Sequence, residues 1–393
     1  HVKKSSMTKN QSKIEKLIAE LCPNGVEYRE LGELLDYEQP GNYIVRSTEY
    51  SDDFIIPVLT AGKSFILGYT GETDGIYKAN KENPVIIFDD FTTSFHWVDF
   101  EFKVKSSAMK MLRVKKDIDV SFKFIYYAMR CIHYLPSDHA RHWISQYSKF
   151  KIPLPPLAIQ EEIVKILNSF TELEAELEAE LEARKKQYEH YRLELLMFGE
   201  GIEWNTLNEV AHFMNGKGHE KHIDENGKYI VVNSKFVSTE GRVKKYSVKQ
   251  ISPVSKNDLL MVMSDLPNGK ALAKCFYVDE NDKYTLNQRI CALTVKNNEK
   301  LNTKFLFYIL NRNKQLLRYD SGADQTNLRK DDILEIKIPL PPLAEQERIV
   351  SILDKFDALV NDISIGLPAE LSARRSQYEY YRGRLLTFES SGR

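Results

Sequence analysis

From Leu157 onward apolar side chains return every three or four positions, at Ile163, Ile166, Phe170, Leu173, Leu177 and Leu181, then Tyr188, Tyr191, Leu195 and Phe198. This spacing, with one four-four stutter bridged by the stem of Arg184, predicts a long helix that buries one narrow stripe against another helix. Prolines 153, 155 and 156 hold the preceding chain extended, so the helix can begin only after Pro156, and Gly199 and Gly201 supply its stop. A helix from Leu157 to Phe198 would span roughly 60 Å. The same stripe returns at Ile349, Ile352, Phe356, Leu359, Ile363, Leu367, Leu371, Arg374, Tyr378, Tyr381, Leu385 and Phe388, where Gly366 and Pro368 should bend or break the helix. Ile14, Leu17, Ile18 and Leu21 predict a short helix that completes the end of the second long one, closing the chain into a ring.

The stripes belong to an internal repeat. Lys151-Ile-Pro-Leu-Pro-Pro-Leu-Ala158 recurs unchanged as Lys337-Ile-Pro-Leu-Pro-Pro-Leu-Ala344, followed at matching positions by Gln160 and Gln346. Further on, Ala183-Arg-Lys-Lys-Gln-Tyr-Glu-His-Tyr-Arg192 matches Ala373-Arg-Arg-Ser-Gln-Tyr-Glu-Tyr-Tyr-Arg382, and Gly25-Val-Glu-Tyr parallels Gly201-Ile-Glu-Trp. The unit is a globular segment, a Pro-rich hinge and a long helix, used twice. The expected fold class is α+β: two mixed α/β domains separated by two long helices packed as an antiparallel coiled coil, with a pseudo-twofold internal repeat. The boundaries read as 1–24 for the N-terminal tail and short helix, 25–152 for the first domain, 153–200 for the first spacer helix, 201–338 for the second domain, and 339–393 for the second spacer helix and tail.

Between the repeated blocks the two inserts show no obvious similarity to each other. The first predicts strands at Ile55 to Leu59, Val85 to Phe88 and Phe100 to Val104, with a helix from Phe122 to Ile132. The second predicts strands at Tyr229 to Val232, Leu259 to Met263, Ala271 to Tyr277 and Arg289 to Val295, then a helix from Thr303 to Leu317. The closing Ser390 to Arg393 is expected to lie outside the fold.

Composition narrows the functional classes. With 55 Lys plus Arg against 56 Asp plus Glu, a uniformly basic coat is excluded, so local charge decides. From Lys103 through Lys149 ten basic residues face three acidic ones, a balance suited to a phosphate backbone. The Leu173-Glu-Ala-Glu tetrads carry a row of glutamates that reads as a solvated face. Four scattered cysteines, Cys22, Cys131, Cys275 and Cys291, form no CxxC pair and suit a reducing, cytoplasmic compartment. No apolar stretch approaches the roughly 18 residues that cross a bilayer, so no membrane role is expected.

Several catalytic outlines fail. Ala61-Gly-Lys-Ser64 ends like a phosphate-binding loop, but Pro57 stands where its leading glycine belongs. His219 and His222 are three apart, not the four that bring two imidazoles to one zinc. Asp89, Asp90, Glu101 and Lys103 sketch a carboxylate nuclease site, although alternating charges on a strand explain them as well. No metal site and no catalytic residue is assigned.

The duplicated Ile-Pro-Leu-Pro-Pro-Leu-Ala hinge, the Gln-Tyr-x-x-Tyr-Arg helix ends and the Leu-Glu-Ala-Glu tetrads together resemble the specificity subunits of Type I restriction-modification enzymes, along essentially the whole chain. The resemblance implies a non-catalytic subunit with two target recognition domains, one for each half of a split asymmetric sequence in double-stranded DNA. It also implies docking of two methyltransferase subunits, with separate restriction subunits in the full complex. No cofactor is expected on this chain, and S-adenosylmethionine is expected on the methyltransferase. Candidate DNA contacts are Lys63, His96, Lys103, Arg141 and His142 in the first insert, and Lys217, Lys235, Lys244, Lys245, Asn268, Lys270, Asn287, Gln288, Arg289, Gln325, Asn327 and Arg329 in the second. Ser234 is a further residue able to read a base edge. Candidate docking residues are Gln187, Tyr191, Arg192, Gln377, Tyr381 and Arg382. A nuclease, or a coiled-coil scaffold without a nucleic-acid role, are the rival classes.

Overall fold

The structure is a computed structural model that describes residues 12–391, other than 63, 137, 139, 267–270 and 321–323. The chain forms two compact units, one of residues up to Glu178 together with those from Glu370 onward, the other of Ala179–Ala369.

In the first unit β1 (Glu27–Glu30) pairs antiparallel with β9 (Lys151–Leu154), so the two ends of the insert meet in one short ladder. Between them lie β2 (Leu35–Glu38), β3 (Ile56–Leu59), β4 (Ile66–Thr70), β5 (Val85–Asp89), β6 (Phe95–Val98), β7 (Lys103–Val104) and β8 (Met109–Val114). They form a four-stranded antiparallel sheet, β2-β8-β5-β6, and a three-stranded sheet, β4-β3-β7, in which β3 is antiparallel to β4 and parallel to β7. The reason for two layers is visible in β5. Its Val85, Ile86, Ile87 and Phe88 are all fully buried, and successive side chains point to opposite faces. Ile86 and Phe88 enter a core with the helices, whereas Val85 and Ile87 enter a second core with Leu59 and Val104 of the smaller sheet.

The second unit repeats this topology with unrelated residues. Here β10 (Glu203–Thr206) pairs with β20 (Lys337–Leu340). The strands between are β11 (Ala211–Asn215), β12 (Tyr229–Val232), β13 (Tyr246–Ser247), β14 (Leu259–Val262), β15 (Ser264–Asp265), β16 (Cys275–Tyr277), β17 (Tyr284–Leu286), β18 (Ile290–Val295) and β19 (Thr326–Asn327). The large sheet runs β11-β18-β14-β16 and the small one β13-β12-β17, again with one antiparallel and one parallel neighbour for the central strand. In β14, Leu259 and Met261 enter the helix-side core while Leu260 and Val262 enter the other. The inserts that diverge in sequence therefore share one alternation, which is what makes one architecture possible twice.

The main helix of each insert starts on a side-chain cap. Ser121 Oγ accepts from the Phe124 N–H before the helix Phe122–Met129, and Asn302 Oδ1 accepts from Lys304 and Phe305 before Thr303–Leu310. The expected helix from Thr303 to Leu317 is two pieces. Asn311 is extended, Arg312 has φ 59°, and Asn313 caps a new short helix, Lys314–Leu317.

The first long helix runs Leu157–Leu195, three residues short of the expected end. The second is broken as its glycine and proline predict, into Leu343–Asn361 and Leu367–Leu385. A Cβ on Gly366 would stand 2.4 Å from the Ala358 carbonyl oxygen, so no other residue fits the turn. Within the first unit the packing of the long helices is antiparallel: Arg375 holds Glu174 and Glu178, while Phe170 stacks on Tyr381 at 5.6 Å. Part of the glutamate row is thus paired across helices. Within the second unit Tyr188 and Tyr191 flank Phe356.

The N-terminal helix Lys13–Leu21 packs where expected, with Ile14 buried beside Leu385 and Phe388 and Lys13 paired to Glu162 at 2.6 Å. The two ends of the chain meet within the first unit through backbone. Val26 N–H donates to Glu389 O at 2.9 Å and Ser391 N–H to Val26 O at 2.9 Å, so the tail through Ser391 belongs to the fold, against the expectation. Gly25, at φ +84°, permits the approach, since a Cβ there would lie 2.5 Å from Glu389 O.

Candidate nucleic-acid interface

In the second unit the pairing rules bring several strand ends to one edge. Strands β12 and β17 are parallel and finish together, and the Asn287 N–H donates to Val232 O at 3.0 Å. Strand β14 is antiparallel to β18, so Met263, just past the end of β14, meets Arg289, just before β18, through a 2.9 Å hydrogen bond. Lys217, leaving β11, donates its N–H to Leu286 O at 3.0 Å. Lys245 accepts from Val231 N–H at 2.8 Å. Ser234 Oγ donates to Ser264 O, and β15 carries β19 with Ser264 opposite Asn327.

This edge therefore gathers Lys217, Ser234, Lys235, Lys244, Lys245, Asn287, Gln288, Arg289, Gln325 and Asn327. The lysines and Arg289 are exposed and can neutralise phosphate, while the amides can reach base edges. Gln288 is partly committed, donating to Glu220 Oε1 at 3.2 Å. Exposed Arg329 follows Leu328, whose N–H donates to Met263 O at 2.8 Å. Ser264 belongs to the same group and carried no sequence signal beyond its residue type. Asn268 and Lys270 lie outside the described residues, as does Lys63.

The first unit has the corresponding edge, but with fewer of its expected residues. Lys105 N–H donates to Leu59 O at 3.0 Å, joining the ends of β7 and β3, and Asp90 N–H to Ala108 O at 3.0 Å, joining the end of β5 to the start of β8. His96 reaches this edge, its Nε2 3.2 Å from Gly62 O and its ring stacked on Phe65. Arg141 is exposed beside it, since its neighbour His142 donates N–H to Asp90 O at 2.8 Å. Lys105 was not singled out in the sequence and stands at the position where Asn287 stands in the second unit.

Two expected contacts are corrected here. Lys103 is 1% exposed, ion-paired with Glu72 at 2.9 Å and donating to Asp74 O at 2.7 Å, so its ammonium is spent inside. His142 is buried with Nδ1 2.9 Å from Tyr134 Oη. The basic run from 103 to 149 is more widely internalised than its composition suggested. Lys110 is buried against Asp90, and Lys123 lies 3.9 Å over the Trp97 ring, where burial pushes it down to about 8. A charge count along the sequence cannot separate such lysines from exposed ones.

The nuclease outline dissolves on the same evidence. Asp90 pairs with Lys110, Glu101 with Lys78, and Asp89 Oδ1 accepts from the Phe91 and Thr92 N–H groups. Among the described residues no three His, Cys, Asp or Glu side chains are placed to hold a metal ion. Nor, among them, is any helix long and apolar enough to cross a membrane.

Two of the expected docking residues are engaged within the chain. Arg192 turns inward, donating to the Tyr308 and Asn311 carbonyls at the end of the second insert helix. Arg382, its repeat partner, is half-buried over the Tyr378 ring and beside Cys131. Gln187 accepts from Arg184 at 2.8 Å, while Gln377, Tyr191 and Tyr381 remain exposed.

Comparison with known proteins places the chain in a family. The Type I restriction modification DNA specificity domain family matches residues 23–183 and again 200–373. The chain is 42% identical over 390 residues to the Type I restriction enzyme EcoR124I/EcoR124II specificity subunit of Escherichia coli, covering 92% of this chain and 94% of that one. It is 32% identical over 288 residues to a putative Type I restriction enzyme specificity subunit of Haemophilus influenzae, covering 68% and 72%. The crystal structure of a Type I restriction-modification S subunit from M. genitalium shares the fold, with a TM-score of 0.57 at 17% identity over 92% of this chain and 96% of that one. With both repeats matched and a relative similar almost end to end, this chain belongs to the Type I restriction-modification DNA specificity family.

Proposed function

We propose that this chain reads DNA sequence for a Type I restriction-modification enzyme, each unit addressing one half of a bipartite, asymmetric target. The observation that carries the reading is the twofold use of one sheet arrangement, each time ending in a polar edge built from different side chains. Lysines and Arg289 on these edges would hold phosphates, and the amides and hydroxyls beside them would distinguish bases in the major groove. The long helices would set the distance between the two readings and would dock two methyltransferase subunits through Gln187, Tyr191, Gln377 and Tyr381. S-adenosylmethionine would be held by the methyltransferase, and cleavage would belong to restriction subunits. Four unpaired thiols suit work in the cytoplasm.

The test is an exchange of residues 210–336 for the corresponding segment of a relative, followed by sequencing of modified bases in a host that also carries the methyltransferase. One half of the modified motif should change and the other persist. A change in both halves would defeat the two-reader scheme.

A further inference from the structure

On the edge of the second unit one pair of side chains is fixed rather than merely exposed. Strand β19 alternates: Thr326 turns inward at 9% exposure, and Gln325 and Asn327 on either side of it turn outward. Gln325 Nε2 donates to Ser264 Oγ at 2.8 Å and to Asn327 Oδ1 at 3.3 Å. Ser264 is itself buried and paired with Asn327 across the β15–β19 ladder, so the anchor is rigid. Both amide hydrogens of Gln325 are thereby used and both side-chain amides are oriented. What remains without a partner among the described residues is one acceptor, Gln325 Oε1, beside one donor, Asn327 Nδ2.

Among single bases, one alone offers both halves of that couple in the major groove. Guanine shows two acceptors there, cytosine a donor alone, and thymine an acceptor beside its methyl group. Adenine shows an acceptor, N7, next to a donor, N6. We propose that Gln325 and Asn327 act together as an adenine-reading site, Asn327 Nδ2 donating to N7 and Gln325 Oε1 accepting from N6. This rests on the DNA-reading role proposed above and adds to it the identity of one base and the two residues that select it.

Asn327→Asp is the discriminating variant, because it keeps an oxygen to accept from Gln325 and replaces the donor by a charged acceptor, which cannot bond N7. The target is first defined by sequencing modified bases for the wild-type chain with its methyltransferase. The purified complexes are then compared on duplexes in which each adenine, other than the methylated one, is replaced singly by 7-deazaadenine, which lacks N7. At one adenine of one half-site the wild-type complex should methylate roughly 10- to 100-fold more slowly, in line with the discrimination of a paired base contact. The Asn327→Asp complex, already slow on the natural duplex, should lose nothing further at that adenine. If no adenine slows the wild-type complex on its own, the site is overturned without recourse to any variant. Equal further losses for both proteins at every adenine would overturn it too. A wild-type complex that modifies no bipartite motif would instead remove the DNA-reading role, and this site with it.

Discussion

The Asn302 N–H donates to Gln346 Oε1 at 2.9 Å, tying the cap of the second insert helix to the first turn of the helix that follows the hinge. Gln346 Nε2 completes the knot by donating to the Pro341 and Lys300 carbonyls, both at 2.8 Å. The repeat partner does the same in the first unit: Gln160 Oε1 accepts from the Ser121 N–H at 3.0 Å and Nε2 donates to Pro155 O at 2.7 Å. Both glutamines are buried. A repeated residue that reads as hinge sequence is thus the fastening between hinge and reading domain.

Replacing Gln346 by leucine should strand one N–H and two carbonyls. A loss of about 2–4 kcal/mol in the unfolding free energy is expected, at the usual cost of unpaired buried polar groups. Gln160→Leu strands fewer and should cost less. Urea denaturation that ranks the two variants the other way would contradict this account.

Arg192 gives a second stability prediction. Its side chain is only 16% exposed and closes the last turn of the helix Thr303–Leu310. Arg192→Ala should therefore destabilise the chain alone by about 1.5–3 kcal/mol, the range for charged hydrogen bonds. Exposed Gln377→Ala should stay within about 0.5 kcal/mol. Calorimetry without any partner distinguishes this from a docking role, in which both variants would leave the free chain unchanged.

The Asp90–Lys110 pair, 3.1 Å apart with both side chains 2% exposed, predicts a non-additive pair of mutations. Asp90 also accepts from the Trp143 N–H at 2.8 Å, joining β5 and β8 to the segment after the first insert helix. Asp90→Asn or Lys110→Met alone should cost about 3–5 kcal/mol, since either leaves one buried charge uncompensated. The double variant should cost clearly less than the sum. Strictly additive losses in a double-mutant cycle would show that the two charges do not sense each other.

Acid should loosen the first unit through Glu72. Burial opposes ionisation of this carboxyl, but the Ser47 N–H, the Lys103 ammonium and the Arg46 N–H outweigh it and hold it down at about 2. Its folded value lies below the unfolded value of about 4.3. The stabilisation is therefore present above about pH 4.3 and is lost as pH falls toward 2. A Glu72→Gln chain should show a shallower loss of stability across that window than the wild type in pH-dependent thermal melts. Parallel curves would exclude Glu72 as the source.

Much of the frame was legible because its signals are periodic. The stripe from Ile163 to Leu195 and the interruption at Gly366 and Pro368 fix helices by spacing alone. The apolar run Val85 to Phe88 of β5 and the wholly apolar β14 also stand out as buried runs. Strands such as β2, with Leu35 buried and Asp36, Tyr37 and Glu38 exposed, carry no comparable pattern, because one partner strand and a solvent face ask little of sequence. The site was legible as residue types but not as placement. Lys103 and Lys105 look alike in a charge count, yet one is sealed against Glu72 and the other leaves β7 at the edge. Strand pairing across distant segments decides that, and it has no local signature.

The tetrads give the last prediction. Leu173, Leu177 and Leu181 are half-buried at four-residue spacing, and Arg375 bridges Glu174 and Glu178. Deleting Leu177 to Glu180 brings Leu181 and Glu182 to the places of Leu177 and Glu178, so the stripe and the partner for Arg375 survive. The helix shortens by about 6 Å at 1.5 Å per residue, and its phase shifts by about 40° because four residues exceed one turn of 3.6. Six ångströms lie between one and two base-pair steps of about 3.4 Å. If the long helix spaces the two readers, sequencing of modified bases should show both half-sites intact and the gap between them shorter by one or two base pairs. An unchanged gap in a variant that still methylates would mean that the helix does not measure the target.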